Sequence, residues 1–249
     1  GLKAGAEFTY YHSPGSQLLH STLGEETMNF LSRDNQRINQ WRFYAGQEHT
    51  LGKDWGLNYG VTYTTALDNS YQMYYDPETE APLPDNNMKS RRREQTVNFY
   101  AGLSKSFGEK LSADVSLAAE QYHTDMWNEW SLYPVANLTY LPAPGHILQF
   151  SLSSDKEYPE YWSMQNSTSY MGAYSEIQGN PFLKPATNYE TTLSYILKGK
   201  YVLSAYYSRT KNKEMQTLYQ SPERLVEIYK CFNFDFSEQA GLVMVVPFK

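Results

Sequence analysis

The sequence predicts an all-β fold: an antiparallel up-and-down β-barrel segment of transmembrane type, with about ten strands, short turns at one end and long loops at the other. Three observations predict it. Segments of about ten residues set large apolar side chains against small or polar ones at a period of two, as a strand with two unlike faces must. The connections between these segments alternate short and long. The composition is 16% aromatic with 23 Tyr, yet the mean hydropathy is −0.63. No run of about 18 apolar residues is present, which excludes a transmembrane helix. A barrel needs no such run, because only alternate side chains meet lipid.

Taken in order, strands are expected at 2–11 and 38–50, then at 55–64, where the alternation is clearest. There Trp55, Leu57, Tyr59, Val61 and Tyr63 are large, and Gly56, Asn58, Gly60, Thr62 and Thr64 are small or polar. The pattern recurs in Val97, Phe99, Ala101 and Leu103 against Thr96, Asn98, Tyr100 and Gly102. It recurs again in Leu111, Ala113, Val115, Leu117 and Ala119 against Ser112, Asp114, Ser116, Ala118 and Glu120. Carboxylates facing hydrocarbon are costly, so the face bearing Asp114 and Glu120 is expected to line the lumen. The expected lipid-facing set is Leu57, Tyr59, Val61, Tyr63, Val97, Phe99, Leu103, Val115, Leu117 and Leu193. Further strands are expected at 132–141, 147–153, 189–197, 201–209, 224–233 and 237–246, with 214–220 possible.

The connections at 52–54, 107–110, 142–145 and 198–200 are short, and those at 68–93, 123–130, 154–188 and 210–223 are longer. Tight turns then gather at one end of the sheet and long loops at the other. Greek-key sandwiches have no reason to sort loops this way, whereas outer-membrane barrels have short periplasmic turns and long extracellular loops. Trp55 and Phe107 adjoin short turns, while Tyr63, Tyr71, Tyr74, Tyr75, Tyr122, Trp127 and Trp130 lie at or beyond the long-loop ends, as two aromatic girdles would.

The net charge of −6 disfavours a nucleic-acid partner, which needs a basic face. One basic cluster, Lys89-Ser90-Arg91-Arg92-Arg93 beside Asp85 and Glu94, is expected in a loop as a solvated strand margin, with anionic lipid headgroups or an acidic ligand as the alternative. The single cysteine, Cys231, excludes an intramolecular disulfide and reads as a small apolar filler. His12, His20, His49, His123 and His146 are scattered without metal-ligand spacing. The acidic pairs Glu25 with Glu26 and Asp125 with Glu129 read as solvated loop charge. With no nucleophile elbow or phosphate-binding loop, no catalytic residue, metal or cofactor is expected, and the chain is not expected to be an enzyme.

The loop-to-strand segment Gly179-Asn180-Pro181-Phe182-Leu183-Lys184-Pro185-Ala186-Thr187-Asn188-Tyr189-Glu190 carries a glycine and two prolines, and must turn before launching a strand. It resembles the GNP-x-LKPE segment of TonB-dependent receptor barrels of the Bacteroidetes type, the outer membrane protein beta-barrel family. Ala186 stands where that family usually has an acidic residue. Tyr158-Pro159-Glu160-Tyr161-Trp162, the proline-containing strand 131–140 and the ending Pro247-Phe248-Lys249 are similar to further signatures of the same barrels.

The resemblance implies a bacterial outer-membrane location and active uptake of a scarce ligand: a siderophore, glycan, vitamin or peptide. It also implies contact with outer-membrane lipid, and with the TonB complex through a plug and an N-terminal segment. Such receptors have about 22 strands, so residues 1–249 are expected to be a partial barrel domain without plug, signal peptide or further strands. Its two open edges are expected to close on each other or to pair with another copy. Expected ligand-facing aromatics are Tyr71, Tyr74, Tyr75, Trp127, Trp130, Tyr158, Tyr161 and Trp162. The motif residues Gly179, Asn180, Pro181, Leu183, Lys184 and Pro185 are expected to be architectural. A soluble all-β carbohydrate-binding module and a passive outer-membrane pore are the alternatives.

Overall fold

The computed structural model describes residues 1–23, 26–52, 54–172 and 174–247. Lys53 of the first tight turn, Glu25 of the acidic pair, and Phe248 and Lys249 of the C-terminal motif lie outside the described residues. The strands are β1 Leu2–Leu23, β2 Glu26–Leu51, β3 Trp55–Tyr75, β4 Pro82–Phe107, β5 Leu111–Thr124, β6 Asn128–Tyr140, β7 His146–Glu157, β8 Thr168–Gly172, β9 Ser175–Gln178, β10 Ala186–Leu197, β11 Tyr201–Gln220 and β12 Glu227–Val245. They form one 12-stranded sheet in the order β1-β2-β3-β4-β5-β6-β7-β10-β11-β12-β9-β8. The sheet curls into a nearly closed barrel.

Twelve strands replace the expected ten or so, and the difference lies at the long-loop end. The strand expected at 2–11 runs on to Leu23, and β2 begins at Glu26 rather than at residue 38. The expected long loop 68–93 is mostly β3 and β4, paired from Asp68↔Arg92 to Gln72↔Met88. The segments 201–209 and 214–220 are one strand, as are 224–233 and 237–246 from Glu227 onward. Crossing hydrocarbon takes about 9–11 residues per strand, so β2 at 26 residues projects well beyond the membrane. Beyond the membrane the outward face meets water and the inner face buries polar groups such as Asp68, Ser70 and Gln72, so both faces are polar and the period-two signal that marks a strand disappears. Asp34-Asn35-Gln36-Arg37 is polar at every position and is still paired strand.

Irregularities have local causes. Asn212 takes φ 51° and drops out of the β11–β12 pairing between Lys211↔Phe236 and Lys213↔Phe234. Pro134 lacks the N–H that a central strand needs. Pairing of β6 with β7 accordingly stops at Ala136↔Leu152, and the Ser154 hydroxyl donates to the Pro134 carbonyl at 2.7 Å.

The short turns lie at one end with both termini, since Leu2 pairs with Gln47 and Val245 with Val202. The register also sorts the faces. Tyr63 sits opposite Phe43 and Val97, and Leu103 opposite Leu57 and Val115. Continued around the sheet, Leu57, Tyr59, Val61, Tyr63, Val97, Phe99, Leu103, Val115, Leu117 and Leu193 share one face. The other face, carrying Thr62, Asn98, Asp114 and Glu120, is the concave one that the loop between β7 and β10 covers. Here tyrosines pack against glycines: a Cβ on Gly60 would meet the Tyr100 ring at 2.6 Å, and one on Gly241 the Tyr206 ring at the same distance.

The expected loop 154–188 instead contains β8 and β9. β9 runs parallel to β12, pairing Glu227↔Ser175 through Lys230↔Gln178, and β8 comes to lie beside β1, where Gln17 Nε2 donates to the Tyr170 carbonyl at 2.5 Å. The hairpin is clasped by Glu176, fully buried, whose two oxygens accept from Arg224 Nη2 at 2.8 Å each. The two sheet edges thus approach each other at the long-loop end through a hairpin of the chain's own, meeting through the Gln17 contact rather than a paired ladder among the described residues. Below it, no strand pairing joins β12 to β1 among the described residues.

Candidate ligand-facing site

Residues 158–172 and 174–185 form a strap that leaves β7, folds over the concave face, and returns to β10. It is held by two carboxylates of the wall. Glu94 on β4 forms an ion pair with Arg92 Nε at 2.8 Å, accepts from the Tyr122 hydroxyl at 2.9 Å, and accepts from the Tyr161 hydroxyl of the strap at 3.0 Å. Glu120 on β5 pairs with Lys156 Nζ at 3.3 Å and accepts from Asn98 at 3.2 Å and from the Tyr158 hydroxyl. Lys156 Nζ also lies 4.8 Å from the Tyr122 ring centroid and 5.3 Å from that of Tyr158. Each half-buried carboxylate therefore has one cation and at least one phenol, the pairing that makes charge tolerable away from water. Burial, together with the adjacent carboxylates, raises the Tyr158 and Tyr161 phenols above their usual range, so both remain protonated donors.

Between strap and wall lies a cavity of about 530 Å³, lined by Gln40, Arg42, Thr62, Thr64, Thr96, Asn98, Glu94, Glu120, Tyr122, Tyr158, Pro159 and Tyr161. A second, of about 310 Å³, is bounded by Tyr11, Asp34, Gln36, Tyr71, Gln72, Trp162, Gln165 and Gly179. Hydroxyls, amides and aromatic faces suit hydrogen bonding and stacking on a ligand. Among the described residues, no group of three or more His, Cys, Asp or Glu is placed to hold a metal ion.

The loop motif fixes the strap. Asn180 Nδ2 donates to the Cys231 carbonyl at 2.9 Å, and its Oδ1 accepts from the Phe182 amide at 3.1 Å. Asn233 accepts from the Lys184 amide at 2.7 Å and donates to the Lys184 and Asn212 carbonyls at 3.0 and 2.8 Å. Leu183 is fully buried against Met164 and Cys231, with Tyr161 packed on the cluster. Gly179 is obligatory by contact, since a Cβ there would stand 1.7 Å from the Gln165 carbonyl oxygen.

The expected aromatics separate. Tyr158 and Tyr161 meet at the larger cavity and Trp162 at the smaller. Tyr74 is buried and donates to the Thr168 carbonyl, so its hydroxyl serves the strap. Strand parity turns Tyr75 to the opposite, outward face, and Trp130, 58% exposed, faces the same way, while Tyr71, also on an outward rung and exposed, borders the smaller cavity. Trp127 is covered by Lys184, whose Nζ lies 4.2 Å from the ring centroid. Sequence reasoning missed Tyr122, Glu94 and Lys156 as site residues. The pairs Glu94/Thr96 and Glu120/Tyr122, each two apart on neighbouring strands, were the available signal, but only the register Thr96↔Tyr122 brings them together.

The basic cluster is strand rather than loop. Alternation sends Arg92 inward to Glu94 and leaves Lys89, Arg91 and Arg93 exposed on the outward face.

These features define the wall of a membrane-spanning β-barrel with a polar interior partly covered by its own strap. The outer membrane protein beta-barrel family matches residues 1–249, and the chain belongs to that family and to the bacterial outer membrane. No curated protein matches the sequence. Solved structures with the same fold include the copper transporter OprC, 13% identical at TM-score 0.56, which covers 95% of this chain and 40% of its own. The siderophore receptor PirA from Pseudomonas aeruginosa is 12% identical at TM-score 0.58, over 95% of this chain and 46% of that one. A ferric enterobactin receptor from Pseudomonas aeruginosa is 16% identical at TM-score 0.57, over 95% and 37%. This chain thus spans less than half the length of these three proteins.

Proposed function

We propose that the chain is barrel wall of a TonB-dependent receptor, of the Bacteroidetes type its loop motif resembles, that takes up a scarce ligand across the outer membrane. The observation that carries this reading is the strap. Tyr158 and Tyr161, tied to Glu120 and Glu94, occupy the lumen where a passive pore would leave an open water path. Family membership and a fold shared with named transporters and receptors support it. In this reading Tyr158, Tyr161 and Trp162 contact ligand together with Tyr122, and Leu57, Phe99, Leu117 and Leu193 with their row-mates contact lipid. Energy reaches the receptor from the TonB complex through a plug. The ligand class stays within siderophores, glycans, vitamins and peptides.

Uptake of labelled ferric siderophores, cobalamin, oligosaccharides and short peptides, compared between the host and a deletion strain with and without a protonophore, tests this. Accumulation of one class should depend on both the gene and the proton gradient. Gene-dependent entry that ignores the protonophore would instead identify a passive pore.

A further inference from the structure

The outward face carries a basic patch just above its apolar band, without an ion-pair partner among the described residues. On β4 that face reads Phe107, Lys105, Leu103, Ala101, Phe99 and Val97, then Gln95, Arg93, Arg91 and Lys89. Lys105 does not break the band, because its ammonium lies 4.3 Å from the Trp55 ring centroid and 4.7 Å from that of Phe107, at the short-turn margin. From Phe107 to Val97 a strand tilted at about 45° rises roughly 23 Å, the height expected of the lipid-facing band. Arg93 stands about 10 Å higher by the same geometry, at the depth of headgroups rather than acyl chains.

Register extends the patch sideways. His12↔Arg37, Arg37↔Asn69 and Asn69↔Arg91 form one row across β1 to β4. Arg37, Lys89, Arg91 and Arg93 are all exposed. Among the described residues no salt bridge engages any of the four, whereas Arg92, pointing the other way on the same strand, pairs with Glu94 at 2.8 Å. Cations spaced about 7–10 Å apart, by strand rise and strand separation, repel one another unless an anion lies between them. That the chain concentrates them here while its net charge is −6 sets the patch apart from ordinary surface charge. Short turns are periplasmic in such barrels, so this side is the outer leaflet.

We propose that Arg37, Lys89, Arg91 and Arg93 bind the phosphates of an anionic outer-leaflet glycolipid of the lipid A type, fixing the depth of this wall in the membrane. The inference needs only the outer-membrane placement and is independent of the uptake reading. The test measures binding of bis-phosphorylated lipid A to the detergent-purified chain, with dephosphorylated lipid A as comparison. A juxtamembrane cation contributes about fivefold in affinity, so the triple variant R37Q/R91Q/R93Q should bind about 100-fold more weakly. A control on the same outward face, K211Q/K213Q on β11, should stay within about twofold of the unaltered chain. The unaltered chain should prefer the phosphorylated lipid at least tenfold, a comparison that requires no variant to fold. Equal affinity for the two lipids, undiminished binding by the triple variant, an equal loss in the control, or displacement of the lipid by millimolar inorganic phosphate would each overturn the proposal.

Discussion

The hydroxyl of Tyr161 donates to Glu94 Oε2 at 3.0 Å, joining the strap to β4 of the wall across 67 residues of sequence. The other oxygen of the same carboxylate is held by Arg92 and Tyr122. Removing the Tyr161 hydroxyl leaves a half-buried carboxylate oxygen without its donor, a loss of about 1–3 kcal/mol. Tyr161→Phe is therefore expected to speed amide exchange at Asn180, whose N–H donates to the Ser163 carbonyl at 2.6 Å, by about tenfold or more. Hydrogen exchange read by mass spectrometry checks it, and unchanged protection of the strap would count against the latch.

Gly179→Ala places a methyl carbon where the Gln165 carbonyl oxygen stands 1.7 Å away. Overpacking costs about 1–3 kcal/mol where neighbours can yield, and here the neighbour is backbone. The strap should become sensitive to added protease while the barrel still inserts and keeps its heat-modifiable mobility on gels.

Val61 and Thr62 are adjacent in sequence and opposite in environment, since Thr62 lines the larger cavity and Val61 lies in the row of Phe99. Arginine on the lipid face near the midplane costs about 2–4 kcal/mol. Val61→Arg should reduce membrane-assembled protein severalfold and Thr62→Arg much less, as quantified by surface labelling. Equal yields would contradict the assignment of faces.

Cys231 lies in the upper part of β12, buried against Met164 and Leu183. Burial, reinforced by Glu214 beside it, pushes its thiol up to about 11. Only the thiolate reacts, so alkylation of the native protein at pH 8 should be slow and should quicken about tenfold per pH unit until the pH nears that value. Rapid labelling at pH 8 would show that the strap does not cover this site.

The alternation at 55–64 and 96–103 made the membrane-embedded wall legible, because lipid on one side and lumen on the other impose opposite demands on neighbouring side chains. Above the membrane that contrast vanishes. The polar run Asp34 to Arg37 is strand held by backbone pairing and by polar side-chain contacts, Asn35 with His12 and Gln36 with Asp68, and Lys89 to Arg93 resembled a loop because it too carries no apolar alternation. β8 and β9, short and stabilised by the distant Glu176–Arg224 pair, left no periodic trace. The motif at residues 179–185 was recognisable as a rigid launch into β10, but its partners Asn212, Cys231 and Asn233 come from strands that only the folded register brings near. Tyr158 and Tyr161 could be singled out as aromatics. Their carboxylate anchors could not, since that requires knowing which rungs of β4 and β5 face each other.

The most direct measurement is a fluorophore scan by single cysteines along β4 from residue 97 to residue 107, in a Cys231→Ser background with the protein in bilayers. Brominated lipid should quench Val97, Phe99, Ala101, Leu103 and Phe107, while a water-soluble quencher should act on Asn98, Tyr100, Gly102 and Ser104. Quenching without a two-residue period, or brominated lipid reaching both sets alike, would contradict a membrane-spanning wall with a polar lumen.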